Sequence, residues 1–229
     1  MEFSEFNLSR VIFEIKYDNG FLYWDNCGAT NLEIVREFPA WGWEKSTAEL
    51  SLFRKTTNKI ELIFNIHNIR FTQDEVDNLN QLKKATKEIT PIILKNLEIN
   101  KFTRVGNRFR YVLPLEDTKQ GDEIVNKSKL IVIPDNKLML FGSKPKKTSF
   151  LIYVKEDNLQ YRIELTTIKR IDSGGIGKLN EKYFPKFGLR ADIDFAIIDK
   201  VGFSDIAFDE FIQKNFKFLE SNLVKLISK

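Results

Sequence analysis

Hydrophobic positions recur every second residue along most of this chain, and the period lengthens to about 3.6 in two places. The second of these is the last forty residues. Residues 191–198 read as a strand, Gly202-Phe203-Ser204-Asp205 as a turn, and the remainder as a long amphipathic helix. Phe208, Phe211, Ile212, Phe216, Leu219, Leu223, Leu226 and Ile227 form one apolar stripe at helical spacing. An echo of that order lies earlier: a strand at 59–66, a turn at 68–74 and a helix from Val76 onward. Setting Phe71 against Phe203 aligns strand with strand and helix with helix.

Between these units the pattern is mostly that of strands. Residues 9–18 alternate Val11, Phe13, Ile15 and Tyr17 with charged neighbours, and Asn19-Gly20 is a hairpin signal that returns 21–24 as a second strand. Cys27-Gly28-Ala29-Thr30 reads as a loop, and 31–38 fits either a short helix or a strand, ended by Pro39. Further strands fall at 47–55 and 60–71. Thr72-Gln73-Asp74-Glu75 has the form of a capping box for the helix after it, and Pro91 should kink or break that helix. Residues 101–115 form a long strand stopped near Pro114. The polar stretch 118–126, with Gly121, reads as a linker. Strands at 130–133, 137–141, 149–155 and 161–171 follow, then a glycine-rich loop at 173–178.

Strands gathered before a helix, twice over, predict an α+β fold with a largely antiparallel sheet. Two long helices pack on one face, and each β-rich half is closed by a strand–helix unit. Residues 1–229 then make one compact domain of two pseudo-repeated halves, about 1–117 and 127–229, joined by 118–126.

Composition narrows the class. With 42% hydrophobic and 30% charged residues, the chain is an ordinary globular sequence with 20 phenylalanines to fill a core. A net charge of +4 is too mild to imply nucleic acid by itself. The single cysteine, Cys27, excludes an internal disulfide and fits a reducing compartment. The start lacks a secretory pattern, and no apolar run approaches the ~20 residues of a membrane span. These features point to a cytoplasmic protein.

Candidate chemistry is thin. Asp172 to Leu179 resembles a phosphate loop, but it lacks the leading glycine and the hydroxyl that such a loop needs. One histidine, His67, and one cysteine cannot build a nitrogen–sulfur zinc site, and nothing around Cys27 marks an activated thiol. Asp192 and Asp194 share a strand face, as a Mg²⁺-holding pair would, or as a solvated or ion-paired face would. The basic stretch is the more suggestive feature. Period two puts Arg104, Arg108 and Arg110 on one face, with Lys144, Lys146 and Lys147 as a second cluster. Guanidinium forks on a strand grip phosphates or a partner's carboxylates, or pair with acids across the sheet. No cofactor is expected.

The early strand Val11-Ile12-Phe13-Glu14-Ile15, the strand Arg104-Val105-Gly106-Asn107-Arg108-Phe109 and the strand Asp192-Ile193-Asp194 before a terminal helix are similar to a sporadically distributed family of bacterial proteins. Those proteins are about 250 residues long and uncharacterised. The resemblance spans nearly the whole chain and carries no catalytic residue. Its patchy occurrence implies an accessory role, such as in a mobile-element or phage-defence locus. The foremost functional expectation is a non-catalytic binding or adaptor protein, working with a protein partner or by self-association. A second is a nucleic-acid-binding component using the basic strand face, with Trp41, Trp43 or Tyr111 for stacking. A third is a metal-dependent hydrolase or nuclease built on Asp192 and Asp194.

Overall fold

The computed structural model describes the chain except residues 19, 56, 58, 131–148, 171–179, 203–205 and 229, and the side chains of 200 and 201. Among the described residues a short 3-10 turn, Phe3–Glu5, precedes nine strands and four α-helices. The first half contributes β1 (Asn7–Lys16), α1 (Tyr23–Glu37), β2 (Gly42–Ser46), β3 (Ser51–Lys55), β4 (Ile60–Phe64), β5 (Asn68–Asp74) and α2 (Asn80–Asn96). The second contributes β6 (Lys101–Leu115), α3 (Thr118–Lys127), β7 (Ser149–Glu156), β8 (Leu159–Lys169), β9 (Phe187–Gly202) and α4 (Phe208–Ile227).

All nine strands join one antiparallel sheet in the order β2-β3-β4-β5-β1-β6-β9-β8-β7. The fold is therefore α+β, as the strand grouping predicts. Each half begins with a strand, crosses by a helix, lays down a meander and ends in a helix, with four meander strands in the first and three described in the second. Their first strands, β1 and β6, meet at the centre. Arg10 and Arg110 stand directly opposite each other there, and like charges so placed repel. Each is met by an acid directly opposite on its other neighbour, Asp74 on β5 and Asp192 on β9. That arrangement gives the join a local two-fold pattern.

One sheet face carries the core. Phe13, Val105, Phe109, Phe71, Leu62, Phe53, Ile193 and Phe195 all lie on it, and all are buried. The helices cover this face: the Phe208 ring packs edge-on against Phe13 at 5.5 Å, Phe216 meets Phe109 at 6.2 Å, and Tyr23 meets Phe64 at 5.8 Å. Beneath α4 one polar pair interrupts the apolar layer. Asn215 Nδ2 donates to Asn107 Oδ1 at 2.7 Å, with both amides buried.

Several local expectations are corrected. Tyr23 and Trp24, with residues 27–30, belong to α1 rather than to a strand and a loop, and its buried stripe of Tyr23, Thr30, Asn31 and Ile34 is half polar and so hid its helical period. No strand returns after β1, since the chain enters α1 at Tyr23. Gly20 instead lies tight against the chain, and a Cβ there would meet the Ile66 carbonyl oxygen at 2.5 Å. Residues 60–71 are two strands, because the Asn65 carboxamide accepts from the backbone amides of His67 and Asn68 at 2.7 and 2.9 Å and turns the chain. Residues 72–75 do not cap a helix. Thr72, Gln73 and Asp74 complete β5, and the next two amides donate to Ser9 and Leu8 of β1 at 2.9 and 3.0 Å. Helix α2 begins at Asn80 and continues through Pro91 to Asn96.

The stretch 118–126 is not a linker. It lies within α3, capped by Asp117, whose carboxylate accepts from the Gln120 amide at 3.0 Å. Gly121 lets α3 press onto β8, for a Cβ there would come within 2.8 Å of Thr167 Oγ1. The expected strand at 130–133 beyond Leu130, the strand at 137–141, the glycine-rich loop, residues 203–205 of the expected turn, and Lys144, Lys146 and Lys147 lie outside the described residues.

Candidate functional site

The helices occupy one sheet face and leave the other uncovered among the described residues. From Arg10 of β1 and Arg104 of β6 onward, along β8, and along β9 as far as Ile198, even-numbered residues point to that open face, since Phe13, Phe109, Ile163 and Ile193 point to the core. Arg10, Arg54, Arg70, Arg104, Arg108, Arg110, Arg162 and Arg190 all stand on it, leaving two of the chain's ten arginines elsewhere. The carboxylates of Glu14, Glu44, Glu61, Asp74, Glu164, Asp192 and Asp194 are set among them.

The three arginines singled out by their period of two are thus brought onto one surface, and each is ion-paired. Arg104 spans two strands, reaching Glu14 on β1 at 3.1 Å and both Asp194 oxygens on β9 at 2.7 Å. Arg108 clamps Asp192 through Nε and Nη2, the latter at 2.6 Å. Arg110 reaches the same carboxylate at 3.1 and 3.2 Å. Most of this pairing is diagonal: Arg108 lies opposite Asp194 in register yet bonds Asp192. A guanidinium is long enough to reach the diagonal neighbour, and its planar fork takes both oxygens at once.

The two aspartates titrate in opposite directions. Asp192 is fully buried, which pushes its carboxyl up, but Arg108 and Arg110 together outweigh that and hold it below its ordinary value. For Asp194 burial prevails over Arg104, and its carboxyl sits above its ordinary value. Arg108 is raised by its hydrogen bonds to Asp192, and Arg110 is lowered by burial. Both aspartates face guanidinium groups, and no set of three or more His, Cys, Asp or Glu residues converges on a metal-sized point among the described residues.

At the middle of the open face is a hollow of about 150 Å³ lined by Ile12, Glu14, Arg70, Arg104, Gly106, Arg108 and Asp194. Its floor lacks a side chain at Gly106, and the Arg104 guanidinium lies over that glycine. Arg70 on β5 faces Glu14 in register, yet Glu14 turns to Arg104 and, at 3.7 Å, to Lys16. Arg70 makes no hydrogen bond or ion pair among the described residues. The sequence reading missed Arg70, Arg162 and Arg190, because each stands alone among apolar neighbours in its own strand. Only the sheet order brings them beside β6.

Other candidates do not assemble. Trp41 and Tyr111 are buried in the core, so neither offers a ring for stacking, and Trp43 packs against Phe53 on the helix side of edge strand β2. Tyr153 on β7 is the exposed aromatic of the open face, 61% accessible. Cys27 is half-buried within α1 and His67 is exposed on the β4–β5 turn, with no bond joining them among the described residues. Two of the larger hollows lie elsewhere. One, of about 450 Å³, is bordered by Phe3, Tyr111 and Phe216, with Asp77 at its margin held by Tyr183 and Lys182. The other, of about 460 Å³, is an apolar groove between α4 and β7–β8.

The fold and this face define a platform: a broad sheet backed by helices, with an ion-paired, arginine-dominated surface in front. Searches against models of protein families, curated proteins and solved structures matched nothing to this chain. No helix among the described residues is long and apolar enough to cross a membrane.

Proposed function

We propose that this chain is a non-catalytic binding protein that presents the open sheet face to an acidic protein partner. The observation that carries this reading is the segregation of arginine: eight of ten lie on the one face that no described helix covers. Structural need alone does not call for such sorting, since lysine, used 26 times in the chain, would serve an exposed sheet as well. Arginine is the residue suited to contacts in which both partners lose water, because its fork pairs with carboxylates in a fixed plane. The carboxylates already on the face pre-orient those forks, and a partner's acids add to the outward-facing donors. In keeping with the family resemblance, the role is that of an accessory subunit in a bacterial multi-component system of the mobile-element or phage-defence kind, acting in the cytoplasm.

The test is site-specific photo-cross-linking. A benzophenone side chain at Tyr153, on the open face, should give a discrete adduct in cells of the source organism. The same group at Phe218, exposed on α4, should not. Adducts from Phe218 alone would place the contact on the helices and end this reading.

A second reading, nucleic-acid binding, is favoured by one observation. Arg70 has no acidic partner among the described residues and, with Arg104 and Arg108, borders the same hollow. Phosphate binding would weaken steeply as salt rises, whereas docking through apolar contacts would not. Absence of any oligonucleotide shift at low salt removes it. The hydrolase reading has less support, since Asp192 and Asp194 are both engaged by arginines.

A further inference from the structure

We propose that the central hollow of the open face is a binding site for a single phosphoryl group, held by Arg70, Arg104 and Arg108. The proposal rests on the reading of the open face as the contact surface and names what its centre accepts. Three guanidiniums from two strands, β5 and β6, border a space of about 150 Å³. That space is large enough for one tetrahedral oxyanion with solvent around it.

The donors are unevenly engaged, which is the reason for assigning an anion here. Arg104 commits Nη1 to Glu14 and Nη2 to Asp194 and acts chiefly as a positively charged wall. Arg108 spends Nε and Nη2 on Asp192 and leaves Nη1 without a bond among the described residues. Arg70 spends nothing among the described residues, although a guanidinium carries five N–H donors. Four guanidiniums, Arg70, Arg104, Arg108 and Arg110, meet three carboxylates, Glu14, Asp192 and Asp194, in and beside this hollow, so a positive charge is left over. A carboxylate ligand would offer two coplanar oxygens, which suit one fork. A phosphoryl group offers three, spread tetrahedrally, and so can serve Arg70 and Arg108 from different directions. Gly106 matters because it lets Arg104 lie flat and keeps the hollow open: a Cβ there would meet that guanidinium at 2.6 Å.

The experiment is an NMR titration of the full chain that follows arginine Nε–Hε signals and the Gly106 amide, with phosphate replacing chloride at constant ionic strength. Saturable shifts are expected at Arg70, Arg108 and Gly106. They should weaken about tenfold or more in Arg70→Gln, the loss of one charge-assisted contact, and recover in part in Arg70→Lys. They should be unchanged in Arg36→Gln, which lies exposed on α1 and away from the open face. Phenyl phosphate and dimethyl phosphate form two further arms. Preference for the first marks a phosphomonoester, and equal or stronger binding of the second marks a phosphodiester backbone. Linear shifts without saturation, or shifts that persist in Arg70→Gln, would overturn the site. The Tyr153 cross-link is read separately: its loss with phosphate binding intact removes the protein-docking reading, and the converse removes only this site.

Discussion

Asp192 and Asp194 lie two residues apart on the same face of β9, yet burial and arginine contacts move their carboxyls in opposite directions. Asp192 is clamped by two guanidiniums and is fully buried; Asp194 is engaged by Arg104, which burial outweighs. The sheet therefore holds one charge that stabilises it and one that it carries at a cost.

Asp192→Asn should accordingly destabilise the protein by about 3 kcal/mol, the lower end for breaking a buried pair, because Arg108 and Arg110 keep some water access. Asp194→Asn should cost at least about 2 kcal/mol less, since the native state already disfavours that charge and Arg104 retains Glu14. Urea unfolding at neutral pH compares the two. Equal losses would show that burial does not distinguish them.

The signs of the pH dependence also differ. The depressed carboxyl of Asp192 contributes stability above its ordinary value of 3.8, and that contribution is lost as pH falls through its lower folded value. Asp194, raised above 3.8, binds its proton earlier in the folded state, so its penalty is relieved as pH falls towards 3.8. The stability difference between wild type and Asp194→Asn should thus move in favour of wild type on acidification from neutral pH. Chemical denaturation at a series of pH values measures it, and a flat difference contradicts the assignment.

Arg70 and Arg108 should separate binding from folding. Arg70→Gln removes no ion pair among the described residues and should change stability by no more than about 0.5 kcal/mol. Arg108→Gln leaves Asp192 with Arg110 alone and should cost about 2 kcal/mol, as a weakened buried charge does. Thermal unfolding of the two variants checks this. A large loss from Arg70→Gln would make that residue structural.

Gly121 tests whether 118–127 is a packed helix. Gly121→Val puts side-chain atoms into Thr167 of β8 and should destabilise by about 2 kcal/mol through overpacking. In a free linker the same change would be silent. Limited proteolysis offers a second view: intact protein should resist cleavage between Thr118 and Lys127.

The buried amides of Asn107 and Asn215 should be tolerated only as a pair. Asn215→Leu strands the Asn107 carboxamide, whose Nδ2 already lacks a partner among the described residues, and should cost about 1–3 kcal/mol. Adding Asn107→Val should return much of that loss. A double-mutant cycle in urea gives the coupling, and strict additivity would argue against the hydrogen bond.

The alternation of Val11, Phe13 and Ile15 and of Val105, Phe109 and Tyr111, with the stripe from Phe208 to Ile227, determined an antiparallel α+β fold by itself. A strand with one buried face, or a helix with one buried stripe, writes its period into consecutive residues. The bounds of β6 and the shared face of Arg104, Arg108 and Arg110 were legible for the same reason. Helices α1 and α3 were not, because Thr30, Asn31 and Gly121 fill their buried stripes and carry no apolar signal. Only the tertiary structure decided which strands are neighbours. That order sets Arg70 beside Arg104, turns Asp192 and Asp194 towards guanidiniums and opens the hollow over Gly106. These contacts join residues from β1, β5, β6 and β9, and no local period records which strands a sheet will place side by side.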